Sequence, residues 1–311
     1  MQNTYYQFIK IYSRIGKALF LGAEILRSRL GAQRKLRILF SSEKNLEPPI
    51  RRSFRFTKHE IAFADLSAEA MKDRDLVVPM TVAALKYLTD QKDPGLPNLM
   101  PIPSMEAISL CDDKYLLNQK LAANGFDAFV PRMGDNQTYP YILKKRIDAW
   151  GVNTHVVSSA EQEKAFSDKI ADPDYFKQQL ITGPFEYATH IIFKDGRIVC
   201  SLNVEYKFSK ERPIKGKDHP VYSKLCSCPY LDLFSQVLSC IGFEGLCCVN
   251  YKVLENRPYI FEINPRFGLS LGPYFFAFVR QLDAAPETGP ARSPAKKDGS
   301  GAHFGRGHPV L

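Results

Sequence analysis

The chain has 311 residues, 45% of them hydrophobic and 24% charged, with a formal net charge of +9. That composition suits a folded protein of about two domains and excludes a low-complexity chain or a dense disulfide scaffold. Residues 1–58 hold thirteen Lys and Arg against three Glu, so the rest nets to −1; no aromatic–basic interleaving follows it, and no nucleic-acid partner is expected.

Residues 5–30 read as a helix with apolar positions at Phe8, Ile9, Tyr12, Ile15, Leu19, Ile25, Leu26 and Leu30 and basic residues between them. Its apolar run is short and broken by Glu24, which argues against a membrane span or a signal peptide. The expectation for residues 1–34 is a basic amphipathic helix packed on the protein's own core, with peripheral membrane contact through residues 5–30 the less favoured alternative. Residues 35–110 read as a small parallel α/β domain: a strand over Leu36–Phe40, a break at Pro48-Pro49, a strand over Asp75–Pro79, a helix over Val82–Thr89 and a strand over Leu99–Pro103. It has no glycine-rich first turn and is assigned no cofactor. Seven cysteines, none at zinc spacing, point to a reducing, cytoplasmic location.

The run 111–125 predicts a helix ending at Asn124-Gly125, with Lys114 in its first turn, where a cation opposes the helix dipole. Tyr139–Lys145 is a short strand that brings Lys144 to a loop. Gln179–Ile181 is extended, and such a backbone can offer one N–H and one C=O to the edge of a base. Lys194-Asp-Gly-Arg197 is a hairpin turn. A second hairpin joins Gly245–Val253 to Pro258–Glu262 and places Asn250 opposite or near Glu262. In the strand Tyr259–Gly268, alternation sends Glu262, Asn264 and Arg266 to one face and Phe261, Ile263 and Pro265 to the other. A carboxylate, an amide and a guanidinium on one face are the inventory for holding Mg²⁺ against phosphates.

In this order the pieces resemble the ATP-grasp superfamily, of the carbamoyl-phosphate synthetase large-subunit-like or carboxylate–amine ligase type, over residues 111 to about 270. The resemblance implies an α/β (α+β) fold in which two α+β subdomains clasp ATP over 111–280, with a lid at about 131–180 and a metal-bearing half at 181–280, after the N-terminal α/β domain. It implies that Lys114 and Lys144 contact the nucleotide phosphates, that Gln178, Gln179, Leu180 and Ile181 form the adenine hinge, and that Glu186 binds the ribose hydroxyls. Asn250, Glu262 and Asn264 would ligate Mg²⁺, or Mn²⁺ in its place, and Arg266 would join Lys144 in catalysis by steadying an acyl phosphate. The chain departs from many relatives in having Asn at 250, a loop after Lys144 with Gly151 as its one glycine, and Gly183-Pro-Phe-Glu186 where Gly-x-Glu is commoner.

The implied function is an ATP- and Mg-dependent ligase that activates a small-molecule carboxylate as an acyl phosphate for attack by an amine or other nucleophile. A nucleotide-binding regulatory member without turnover is the alternative. The basic run Lys207–Lys217 reads as a solvated loop or a cover over the site. Residues 281–311 read as a disordered tail, since nine of the residues from Ala284 to Leu311 are Gly or Pro.

Overall fold

A computed structural model describes residues 15–30 apart from 17, 24 and 28, then 34–91, 100–148 and 151–284. Of the tail expected over 281–311, residues 281–284 instead end the helix Phe275–Ala284, with Leu282 buried in the core; the rest of it, and the first part of the basic helix, lie outside the described residues. Described positions between 15 and 30 are helical (α1). There Phe20, Leu21 and Ile25 pack on the core, and the Phe20 ring meets Tyr274 edge to face at 5.8 Å.

The N-terminal unit is a parallel sheet of order β2-β1-β3, formed by β1 (Arg37–Ser41), β2 (Glu60–Ala64) and β3 (Leu76–Val78). Its helices are α2 (Glu47–Phe54), α3 (Ala68–Met71) and α4 (Val82–Asp90). Two expectations are corrected here. Pro48 and Pro49 do not break the chain but open α2, because the first helical N–H groups have no intrahelical partner and proline loses nothing by lacking one. Residues 100–104 form no strand; Pro101 and Pro103 remove the donors a ladder needs.

The helix expected over 111–125 is two helices, α5 (Met105–Asp112) and α6 (Lys114–Leu121). Asp113 stands between them, accepting the N–H groups of Tyr115 and Leu116 at 3.0 and 3.1 Å as the N-cap of α6. Next comes a three-stranded antiparallel sheet of order β5-β4-β6, from β4 (Tyr141–Lys145), β5 (Thr154–Val157) and β6 (Tyr175–Gln179), with α7 (Ala160–Ala165) and α8 (Ser167–Ala171) between β5 and β6.

The largest sheet has five antiparallel strands in the order β11-β10-β7-β8-β9. They are β7 (Phe185–Lys194), β8 (Arg197–Lys207), β9 (Tyr222–Cys226), β10 (Gly245–Leu254) and β11 (Arg257–Asn264), with α9 (Leu231–Cys240) before β10 and α10 (Phe275–Ala284) after β11. Both predicted hairpins form: Asp195, Gly196, Glu255 and Asn256 all take positive φ, the geometry that matches strand twist in two-residue turns. One face packs on α5, α6 and α9 through Ile191, Phe193, Cys247, Val249 and Ile263. On the opposite face, Ile192, Cys200 and Leu246 meet the N-terminal unit and the Phe275, Phe276 and Phe278 rings of α10. That second layer covers only one end of the sheet.

Candidate active site

The uncovered end of the sheet floors a cavity of about 620 Å³, whose opposite wall comes from β4 and β6. Strand alternation supplies its floor. Cys247, Val249 and Tyr251 enter the core, so Cys248, Asn250 and Lys252 line the cavity. The neighbouring strands add Glu186, Val204 and Tyr206.

Strand β11 obeys the same rule after an interruption. Asn250 pairs with Glu262 but Tyr251 pairs with Ile260, so Phe261 is a bulged residue without a partner. The bulge resets parity: Ile260 and Ile263 are core residues, whereas Glu262 and Asn264 line the cavity. Phe261, expected on the opposite face, lines the cavity too, and its carbonyl lies 3.5 Å from Lys144 Nζ. Arg266, just beyond the strand, borders the same space.

Glu262 is the hub. Its Oε1 accepts from Asn250 Nδ2 at 2.9 Å and Asn264 Nδ2 at 3.1 Å, and its Oε2 lies 3.7 Å from Lys114 Nζ. Burial alone would raise this carboxyl, but Lys114 and Lys144 outweigh it and hold the group down at about 2. Asn250 relays the charge: its Oδ1 accepts from Lys215 Nζ at 2.9 Å while its Nδ2 donates to Glu262. A carboxylate at 250 would face Glu262 directly, so the amide lets the two strands meet without a cation between them.

Lys114 opens α6, and its Nζ donates to the Asp148 carbonyl at 2.7 Å. Asp113, the cap of the same helix, pairs with Arg146 at 2.6 Å and so ties α6 to the end of β4. Lys144 is buried, which pulls its ammonium down to about 8 although Glu262 pushes back. Gln178 is also buried and lines the cavity, and its Nε2 has no hydrogen-bond partner; an orphaned buried donor costs about 1–3 kcal/mol unless something accepts from it. Gln179, Leu180, Ile181 and Glu186 line the cavity beside it.

Two cavity lysines escaped the sequence reading. Lys215, in the basic run, turns inward to lie 3.6 Å from Glu186. Burial opposes its charge, but Glu186 raises its pKa above the ordinary value. The run therefore borders the cavity through Phe208 and residues 213–216, and it is tied to the start of β5 and to Gly151. Lys217 Nζ donates to the Thr154 carbonyl at 2.6 Å, and a Cβ on Gly151, whose φ is +63°, would sit 2.9 Å from the Lys215 carbonyl. The clustered lysines of the run were the available signal.

Lys252 is the second. It is 3% exposed and donates to the carbonyls of Ile181 and Gly183 at 3.2 and 3.0 Å, pinning the segment that follows β6. Lys252→Met should keep the volume but orphan two carbonyls. We expect it to destabilise the protein by about 2 kcal/mol, read as a lower denaturant midpoint at unchanged slope; an unchanged midpoint would show that water replaces the ammonium freely.

A family model described as an ATP-grasp domain matches residues 111–270, more than half of the chain. No curated protein matches the sequence. Among solved structures, the chain is similar to phosphoribosylamine–glycine ligase from Thermotoga maritima, with a TM-score of 0.59 and 14% identity, covering 80% of this chain and 76% of that one. It is similar to D-alanine–D-alanine ligase from Bacillus anthracis, with a TM-score of 0.54 and 13% identity, covering 80% and 96%. It also resembles L-amino acid ligase from Bacillus licheniformis, with a TM-score of 0.54 and 14% identity, covering 80% and 74%. The Bacillus anthracis enzyme has been solved complexed with ATP. At these identities the likeness is one of fold.

Proposed function

Because the chain belongs to the ATP-grasp family, we propose that it is an ATP-dependent ligase that phosphorylates a small-molecule carboxylate and passes the acyl group to an amine or other nucleophile. The observation that carries this reading is the convergence of Lys114, Lys144, Lys215 and Arg266 around Glu262, in one cavity that also holds the unpartnered Gln178 donor. Six cations line the cavity, Lys224 and Lys252 with these four, against three carboxylates, Glu186, Asp218 and Glu262, a positive excess suited to a polyphosphate. The orphaned amide suits an acceptor on the base, beside the extended segment 179–181.

In this reading Lys114, Lys144 and Lys215 neutralise the phosphates, and Arg266 faces the charge that develops as the phosphoryl group moves to the carboxylate. Glu186 would take the ribose hydroxyls. Mg²⁺ would supply charge neutralisation at the phosphates, held by Glu262 with Asn250 and Asn264. The donor set fits an ion that arrives with the nucleotide: it contains one carboxylate, and among the described residues no group of three or more His, Cys, Asp or Glu could hold a metal by itself. The segment Lys207–Lys217 would close over the ligand, with Lys215 as its inward contact.

ATP-dependent phosphate release measured against pooled amino acids, dipeptides and sugar acids tests the proposal. A signal that requires one carboxylate supports it. Nucleotide binding without release from any pool would favour a regulatory member, a reading to which the amide at 250 gives some weight.

The lowered pKa of Lys144 gives a pH prediction. Below about 8 the free protein already carries the ammonium; above it, a proton must be taken up before phosphate is bound. KM for ATP should therefore rise as pH climbs past 8, approaching about tenfold per unit. Lys144→Arg should flatten that limb, because guanidinium stays charged. A wild-type KM level from pH 7 to 10 would separate Lys144 from the phosphates.

A further inference from the structure

Helix α1 uses one face to pack on the core and leaves a second apolar face outside. Ile15, Leu19, Leu26 and Leu30 are 53%, 70%, 57% and 77% exposed. On a helix these positions fall within about 60° of one another, so they form one stripe, with Gly22 and Ala23 filling the row. Phe20, Leu21 and Ile25 point the other way, into the core. Phe56, 47% exposed, prolongs the stripe at its C-terminal end, where its ring lies 6.0 Å from the Arg29 guanidinium and 5.4 Å from that of Arg55.

The surroundings of the stripe are cationic. Arg27 and Arg29 flank it on either side and both are exposed. Residues 1–58 carry a net charge of +10, of which Asp75 and Glu60, paired with Arg34, Arg37 and Lys35, offset two charges. An exposed row of leucines bordered by arginines has the chemistry of a helix lying in a lipid headgroup layer: the apolar row enters the acyl boundary and the guanidinium groups stay among phosphates. No helix among the described residues is long and apolar enough to cross a membrane, which agrees with lying on one. A second copy of the chain fits less well. Two such faces would bring like charges together, and a single row of four side chains is far smaller than the roughly 1,000 Å² a stable interface needs.

We propose that the outward face of α1, with Ile15, Leu19, Leu26, Leu30 and the adjoining Phe56, docks this protein on the surface of an anionic lipid bilayer. The active-site cavity is walled by other elements, so the docked protein keeps its site free, and the proposal stands whatever the ligase acts on.

The test is flotation of the full chain with vesicles of phosphatidylcholine mixed with phosphatidylserine, against vesicles of phosphatidylcholine alone, at low and high salt. The expected result is co-flotation with the anionic vesicles, weakened by salt. The double variant Leu19→Asp, Leu26→Asp should lose binding by on the order of a hundredfold, about tenfold per leucine withdrawn from the acyl boundary, with an unchanged melting temperature because both side chains are exposed. Leu30→Ser serves as a milder second variant and should weaken binding without touching the fold. Absence of flotation, flotation that does not need phosphatidylserine, or binding unaffected by these variants would overturn the proposal. So would a dimer detected by light scattering that the double variant dissolves, which would assign the stripe to a second copy.

Discussion

Glu262→Gln is expected to cut ATP-dependent phosphate release by on the order of 10²–10³-fold. The carboxylate accepts from two carboxamides and counters Lys114 and Lys144. Glutamine keeps the shape and one accepting oxygen but removes the charge. The two lysines then lack their shared counter-charge, and Lys144 should lose its proton below pH 8, because Glu262 is what holds its pKa up against burial. The site would lose its one carboxylate for Mg²⁺ and weaken a phosphate contact together. The apo protein should still fold, melting slightly lower, because Ile260 and Ile263 keep β11 in the core. Near-wild-type release in this variant would remove Glu262 from the reaction.

Lys215→Met is expected to raise KM for ATP by about 10²-fold, corresponding to a lost charge-assisted contact of about 2–3 kcal/mol. The substitution also removes the cation 3.6 Å from Glu186, a buried carboxyl already pushed above its ordinary pKa by burial, so that pKa should rise further. Lys210→Ala is the internal control from the same run. Lys210 is 63% exposed and pairs with Asp218 at 2.6 Å, and an exposed pair of this kind contributes about 0–1 kcal/mol. Equal effects of the two substitutions on steady-state KM would mean that the run acts by its overall charge and not through one inward lysine.

These two residues also mark the boundary of what can be read without coordinates. Asn250 and Glu262 were legible to within one residue because a hairpin is local: counted back from the tight turn at 254–257, Asn250 would face Phe261, and the bulge shifts the register by one so that it pairs with Glu262. The alternation of Glu262 and Asn264 was legible for the same reason. Phe261 was not, since the bulge that turns it toward the cavity depends on how β10 and β11 twist against their neighbours. For Lys215 the basic run signalled a cover but not which lysine turns inward to Glu186, and Lys252 was beyond reach because its partners, the Ile181 and Gly183 carbonyls, are distant in sequence and a lysine in a strand has no signature of burial. The prolines of α2 misled in the opposite direction, since Pro-Pro reads as a break until the following turn is seen to be helical. Lys114 was placed in a first turn correctly, but the Asp113 cap that starts this turn splits a run that reads as one helix.

The most direct test of the central claim, that the Glu262 cavity is a nucleotide site, is the melting temperature of the full chain with Mg·ATP, with Mg²⁺ alone and without either. Lys114, Lys144, Gln178 and Glu262 come from four separate segments, so a ligand that joins them binds the folded state only. At a hundredfold excess over its dissociation constant such a ligand stabilises by about 2.7 kcal/mol, a rise on the order of 5 °C for a protein of this size. Mg·ATP should produce that rise, Mg²⁺ alone much less, and Lys144→Ala should diminish it. A melting curve that does not move with saturating Mg·ATP would contradict the assignment of the cavity to ATP, and with it the role proposed for every residue around Glu262.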